Sequence, residues 1–289
     1  MQPLFLRTLN TQQDFYDAAA LLESEALLPI ENPDIAVGFF DGAKMVAVGH
    51  RRRELLLGIC IAKAYRGQQL LGGLITELLK SAINAGYDQM FLFSKPENRQ
   101  FERLGFSCVA NSGQASMFEY GWPDIDSWLD GLQQKLPLNG KSLAALRIRT
   151  IDFCPALFSV IEQASSVCEQ LILWAEGETD IGQFQQLEKA CADLPNCQLI
   201  APSAYVLSAD FFPDYFCGRD NHALVQSQLA AAIFCERIVL GLNIKKVFVI
   251  EGKVGESMQE YQRALSSYSV PLQPISAKPQ SVEVLHGKE

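Results

Sequence analysis

Hydrophobic and polar positions along the first 120 residues change period several times, and each change predicts an element. Residues 4–8 read as a strand and 12–22 as a helix. Residues 34–41 and 44–51 are two β-rich runs separated by Asp41-Gly42-Ala43. Asp-Gly between such runs predicts a tight hairpin, because the turn requires positive φ. The apolar run 55–62 is short and branched enough for a buried strand. From 70 to 85 the apolar residues Leu70, Leu71, Leu74, Leu78, Leu79 and Ile83 fall on one helical face, and Gly86 is a helix stop. A strand at 89–93, a loop at 94–97, a short helix at 98–104 and strands at 106–110 and 115–120 complete this part.

A polar bridge follows from 121 to 142, with an amphipathic stretch at 125–136 and the turn-forming Pro137-Leu138-Asn139-Gly140-Lys141. Beyond it strand and helix alternate. Strands are expected at 145–151, 170–175, 197–200, 247–250 and 270–274, and helices at 155–166, 180–193, 222–240 and 257–267. Alternation of this kind predicts parallel strands joined by crossover helices, a doubly wound α/β sheet. The expected organisation is an α+β domain over 1–122, a linker helix and turn over 123–142, and an α/β domain over 143–289. No repeat is visible, and the polar tail 278–289 reads as frayed.

Composition narrows the function. A chain of 289 residues suits two domains. Its net charge of −9 and pI near 5.0 argue against nucleic acid or an anionic membrane as partner. With 48% hydrophobic and 20% charged residues, disorder is excluded as the main state. The N-terminus lacks the pattern of a secretory signal. The longest apolar runs, such as 229–235, are about a third of the roughly 20 residues a membrane span needs. Eight cysteines occur at irregular spacing with no CxxC. They read as reduced, buried small hydrophobes of a cytoplasmic protein, and no metal site is expected.

Candidate chemistry concentrates in two stretches of the first domain. In Gly58-Ile59-Cys60-Ile61-Ala62-Lys63-Ala64-Tyr65-Arg66-Gly67-Gln68-Gln69-Leu70-Leu71-Gly72 a strand runs out into a Tyr-Arg-Gly turn and a helix start. Such a turn exposes several N–H groups where the helix dipole also favours an anion. Gly67 permits close approach of a phosphate, and Arg66 adds a donor. The second stretch, Ser94-Lys95-Pro96-Glu97-Asn98 through Leu104-Gly105-Phe106, reads strand, Asn, helix, strand.

Together these resemble the GNAT acyl-CoA-dependent acetyltransferases over about residues 3–120. The resemblance implies that the turn cradles the pyrophosphate of acetyl-CoA, CoA or a phosphopantetheine group, with Ile61, Arg66, Gly67, Gln68, Gln69, Leu70, Leu71 and Asn98 as cofactor-binding residues. The family pattern is Arg/Gln-x-x-Gly-x-Gly/Ala, and Gln69 and Leu71 stand where small residues are expected. The family's carboxylate base and tyrosine acid point to Glu54, before the central strand, and Tyr120, ending the last one. His50 and Arg51-Arg52-Arg53 end the second hairpin strand and read as a solvated turn, with contact to an acidic carrier or a CoA phosphate as the other reading.

Over nearly its whole length the chain resembles the [citrate (pro-3S)-lyase] ligases, which join a GNAT-like domain to a nucleotidyltransferase domain. The likeness is carried by the hairpin Asp34–Gly42 with Val46–Gly49, by Phe93–Asn98, by Ala204–Phe216 and by Val160–Ala164. It implies acetylation of a carrier subunit's prosthetic thiol at the expense of ATP. The departures fall at that chemistry. Where the family has Asn-Pro-Phe-Thr-x-Gly-His, this chain has Thr150-Ile151-Asp152-Phe153-Cys154-Pro155-Ala156-Leu157-Phe158, with neither His nor Gly. The family's Gly-Thr-Glu-Pro appears as Val249-Ile250-Glu251-Gly252-Lys253, and no Arg follows Pro274-Ile275-Ser276-Ala277. Of the three histidines, His50, His222 and His286, no two are near each other in sequence. Losing one preorganised donor from an anionic transition state costs about 3–4 kcal/mol, or about 10²–10³ in rate. The second domain is therefore expected to keep its fold and to have lost ATP chemistry. Three readings stay open: acyl transfer by the first domain from a small-molecule acyl donor, an ATP-dependent ligase with substituted catalytic groups, and a non-catalytic protein that binds a carrier subunit.

Overall fold

The computed structural model describes residues 3–95, 99–136, 141–149, 156–176, 181–200, 205, 222–250, 262–263 and 265–276. Contacts divide the chain into two units, Met1–Leu132 with Ala209–Gly241, and Gln133–Ser208 with Leu242–Glu289.

The first unit is built on a seven-stranded sheet in the order β1-β2-β3-β4-β5-β7-β6. Its strands are β1 (Phe5–Thr8), β2 (Ile35–Asp41), β3 (Lys44–Arg52), β4 (Leu55–Ile61), β5 (Gln89–Ser94), β6 (Ser107–Asn111) and β7 (Ser116–Gly121). Asp41-Gly42 makes the expected β2–β3 turn, with Gly42 at φ 60° and Asp41 opposite Lys44. Every neighbouring pair is antiparallel except β4–β5. That one parallel pair obliges a crossover, supplied by α2 (Leu70–Asn84). This agrees with the α+β domain expected from sequence.

The two helices cover opposite faces. α1 (Gln12–Ser24) packs Ala18, Leu21 and Leu22 with Phe40, Val48 and Cys60. Its start is held by a capping box between Thr11 and Asp14, and Arg7 of β1 reaches Asp14 through bonds of 2.8 and 2.6 Å. α2 packs Leu70, Leu74, Ile75 and Leu78 with Leu56, Met90, Leu92 and Phe118. Ile83, expected on this face, is 59% exposed, and Ile75 takes a place in the stripe instead. At about 100° per residue, position 83 falls outside an arc centred on Leu74 and Leu78.

α3 (Ile125–Lys135) follows the sheet. The Asp124 carboxylate accepts the Ser127 N–H at 2.9 Å, and the buried Glu119 accepts the Ile125 N–H at 3.1 Å. The helix expected over 222–240 is α-helical as α6 (His222–Ala232) and widens to a π-helix over Ile233–Val239. Although expected with the second domain, it groups with the first unit. Ile233, Phe234, Cys235 and Ile238 are buried there, and Arg237 pairs with Asp126 at 2.5 Å.

The second unit carries a five-stranded sheet, β10-β9-β8-β11-β12. These are β8 (Leu143–Arg149), β9 (Gln170–Glu176), β10 (Cys197–Ile200), β11 (Lys246–Ile250) and β12 (Leu272–Ile275), all in parallel pairs. α4 (Leu157–Ser166) and α5 (Ile181–Ala192) are its described crossover helices. β8 begins two residues before the expected position, and most of the helix expected at 257–267 lies outside the described residues. Near-continuous burial of Leu171, Ile172, Leu173 and Trp174 is what a strand covered on both faces requires. The chain winds outward from β8 to β10 and resumes on the other side at β11, so the doubly wound sheet expected from sequence has its switch point between β8 and β11.

Two features of β3 and β4 give predictions. His50 is 2% exposed, and its Nδ1 has no hydrogen-bond partner among the described residues. Burial pushes its imidazole down to about 4, partly offset by the Leu57 and Gly58 main chain. A base depressed in the folded state contributes stability above its unfolded pKa of about 6.5, and that stability is lost as pH falls toward 4. Chemical denaturation between pH 7 and 4 should show this slope, and His50→Gln should flatten it. Gly58 has φ +50°, and an added Cβ would lie 2.7 Å from Ile30 Cγ1. Gly58→Ala should cost about 1–3 kcal/mol in the same assay.

Candidate functional site

The candidate site begins where β4 ends. β4 and β5 run parallel but share a single register pair, Leu55 with Phe91, next to a 2.9 Å bond from the Phe91 N–H to the Glu54 carbonyl. Elsewhere in this sheet neighbours share four to seven pairs. The two strands therefore part from their starts toward their ends at Ile61 and Ser94, and the wedge opens toward the turn that leads into α2.

That turn is a short 3₁₀ helix, Lys63–Tyr65, followed by Arg66, Gly67, Gln68 and Gln69, all four exposed. Gly67 has φ +81°, and a Cβ there would meet nothing within 4 Å. Gln69 is the α2 N-cap in the left-handed region at φ 62°, with no side-chain cap bond. Left-handed backbone is uncommon outside glycine, and here it stands at the mouth of the wedge. The first N–H groups of a helix have no partner inside it. The Gln69 side chain supplies none to α2, so among the described residues this end presents donors and the positive end of the helix dipole. Gln69, which stands where the family has a small residue, is exposed. Leu70 is buried and Leu71 half-buried against the α2 core, anchoring the first helical turn.

The turn is held from two distant places. Arg66 donates to the Ile61 carbonyl at 3.2 Å and pairs with Glu25, just beyond α1. The other oxygen of Glu25 accepts the Lys63 N–H at 3.0 Å. Tyr65 donates its hydroxyl to Asp41 at 2.7 Å, which raises the phenol pKa chiefly through that bond. Sequence reading missed Glu25 and Asp41, which lie 41 and 24 residues from their partners and belong to no local pattern.

Ile61 and Arg66–Leu71 are thus brought together. Glu54 and Tyr120 are not brought to them. β4 spans about 20 Å from Leu55 to Ile61, so Glu54 lies at the closed end of the wedge, its carboxylate 3.5 Å from Arg53. Tyr120 is opposite Met90 on the far side of β5, its ring 5.3 Å from Phe106 and against Gly105. Arg51, expected in a solvated turn, is instead buried. It donates to Asp34 at 3.1 Å and to the Arg53 carbonyl at 2.8 Å. A buried guanidinium at a strand end is stable only with such partners.

Asn98 and the 96–98 loop, the 150–155 loop, the segment 206–216, residues 251–253 and His286 lie outside the described residues. Among the described residues no group of three His, Cys, Asp or Glu side chains is placed to hold a metal. No described helix is long and apolar enough to cross a membrane. Of the cysteines, Cys60 and Cys235 are buried, whereas Cys108, Cys168, Cys191 and Cys197 are half-buried and free.

The citrate lyase ligase C-terminal domain model matches residues 151–278. A [citrate [pro-3S]-lyase] ligase of Klebsiella pneumoniae is 28% identical over 71% of this chain and 62% of its own length. That of Haemophilus influenzae is 26% identical over 62% and 56%, and that of Escherichia coli 24% over 71% and 60%. The chain therefore spans between 56% and 62% of the length of these curated relatives. Among solved structures, the ribosomal-protein-S18-alanine N-acetyltransferase of E. coli overlaps 41% of this chain and 94% of its own, at 16% identity and TM-score 0.35. The E. coli GNAT family N-acetyltransferase YhbS, solved in complex with CoA, overlaps 42% and 82%, at 15% identity and TM-score 0.33. By its C-terminal domain and these curated relatives, the chain is similar to the [citrate (pro-3S)-lyase] ligases.

Proposed function

We propose that the first unit binds a CoA- or phosphopantetheine-type thiol carrier and that the protein acts in acyl transfer. The observation that carries this reading is the start of α2, uncapped by the Gln69 side chain and entered through left-handed Gly67 and Gln69 at the open end of the wedge. Main-chain amides from Gly67 to Leu71 hold the diphosphate, as helix N-termini hold anions generally. Gln68 and Gln69 flank it, and Asn98 is the contact inferred from sequence beyond β5. Arg66, engaged with Glu25 and the Ile61 carbonyl, braces the turn in this reading.

A thiol arm leaving the turn lies along β4 toward its junction with β5. Glu54 and Tyr120 are the base and acid that the resemblance implies in this reading. The names of the curated relatives point to a citrate lyase, and in this reading the acyl acceptor is a carrier subunit of such a lyase and the donor a small molecule. A protein handling these groups works in the cytoplasm.

A second reading is favoured by the family match over 151–278: an ATP-dependent ligase with substituted groups. In a doubly wound sheet ligands bind beyond the carboxyl ends of the strands at the switch point, here after β8 and β11. The residues there, 150–155 and 251–253, lack the family's histidines and glycine-threonine pair, so loss of ATP chemistry is the reading preferred.

Two measurements test these proposals. Calorimetry with CoA should give saturable heat, and Gly67→Val, which places a branched side chain at φ +81°, should weaken binding tenfold or more, about 1.4 kcal/mol. Unchanged affinity in a variant with an unaltered melting curve would sink the amide cradle. Incubation with ATP and acetate should release no pyrophosphate above background; sustained release would establish the second reading.

A further inference from the structure

Cys191 and Cys197, six residues apart, meet across the corner between α5 and β10 with their sulfurs 3.5 Å apart. The corner is fixed by backbone and side chain. The Leu194 N–H donates to the Cys191 carbonyl at 3.1 Å, and the Cys197 N–H to the Leu194 carbonyl at 3.0 Å. Asn196 donates to the carbonyls of Ser165 and Cys168 at 2.9 and 3.1 Å, and its own carbonyl accepts the Leu171 N–H at 2.7 Å. The two thiols are therefore neighbours by construction. A covalent S–S bond is about 2.05 Å, so closure brings the sulfurs about 1.5 Å nearer.

They are also reachable. Both line an open recess of about 420 Å³ together with Phe184, Glu188 and Leu199. The other described thiols differ: Cys60 and Cys235 are buried, and Cys168 and Cys108 are bonded to the Ala164 and Ala110 carbonyls at 3.1 and 3.7 Å.

We propose that Cys191 and Cys197 form a thiol–disulfide exchange site for low-molecular-weight disulfides, closing to an intramolecular disulfide that fastens α5 to β10. Either thiol can donate the hydrogen bond they share, and with Cys197 as its donor Cys191 is the attacking group. Cys197 is held protonated, its pKa raised mainly by its bond to Cys191, while that bond lowers the pKa of Cys191 against the opposing effect of burial. The Cys191 thiolate attacks one sulfur of the disulfide RSSR, forming a mixed disulfide and expelling RS⁻. Cys197 then gives up its proton and attacks the Cys191 sulfur, expelling the second RS⁻. Both thiols are oxidised, RSSR is reduced to two RSH, and the protein loses two hydrogens. The proposal is independent of ligand binding in the first unit.

The test exposes the full chain to oxidised glutathione, quenches with an alkylating agent and maps peptides after cleavage before Asp193, which separates the two cysteines. The wild type should give the two peptides joined, two hydrogens lighter than their sum. Cys197→Ser should stop at a glutathione adduct on Cys191. Cys191→Ser should leave Cys197 at least tenfold slower to react. Persistent separate adducts in the wild type, or a Cys197 that reacts as fast without Cys191, would overturn the proposal. The wild-type linkage decides the matter even if a variant folds poorly.

Discussion

Parallel strands normally bond along their whole common length, and β4 and β5 do so at one residue pair only. The constraint comes from what surrounds them. β4 is committed on its other edge to β3 through an irregular register, with a shift between Val48 and His50 where Gly58 takes positive φ. β5 is committed to β7 along its whole length. Two strands steered by different partners separate, and the gap between them points at the start of α2. That start is brought close to the sheet by Gly73, where a Cβ would lie 2.7 Å from the Phe39 ring. A side chain at that position would push the amide-bearing turn away from the mouth of the wedge.

Electrostatics at the turn follows from geometry more than from net charge. The chain carries −9, which repels anions at long range. At short range, amides at the head of a helix are fixed dipoles that require no counterion to orient them. The single guanidinium of the turn is shared with Glu25, and its side chain is 57% exposed, so the pair contributes little to stability and much to the shape of the loop. Glu25 and Asp41 hold the turn from two elements.

The second unit is organised by a different constraint. A parallel sheet with helices on both faces hides its strands, so polar groups within it must find partners inside. Gln170 and Arg147 are both buried in this sheet. Asn196 performs the equivalent task at the edge, joining the ends of α4 and β9 to the corner before β10. Rigidity at that corner is what keeps two thiols in contact.

Local periodicity made most of the elements readable from the chain alone. The Asp41-Gly42 hairpin, the α2 stripe from Leu70 to Leu79 and the alternation after residue 143 reflect interactions among residues a few positions apart, and the structure keeps them. The turn Arg66–Leu71 was legible for the same reason, as a strand end followed by a helix start. What depends on contacts between distant residues was not legible. Arg66 read as a phosphate donor but meets Glu25; Arg51 read as solvated but is buried; Ile83 read as core but is exposed. Cysteines with no pattern in sequence concealed a close pair among the described residues, because a six-residue spacing acquires meaning only when a helix end and a strand start are folded against each other. The sequence by itself determined which segments become helix or strand and where a strand end turns into a helix start. Only the tertiary structure decided which charges are already taken and which thiols touch, since those depend on partners that the chain brings together only by folding.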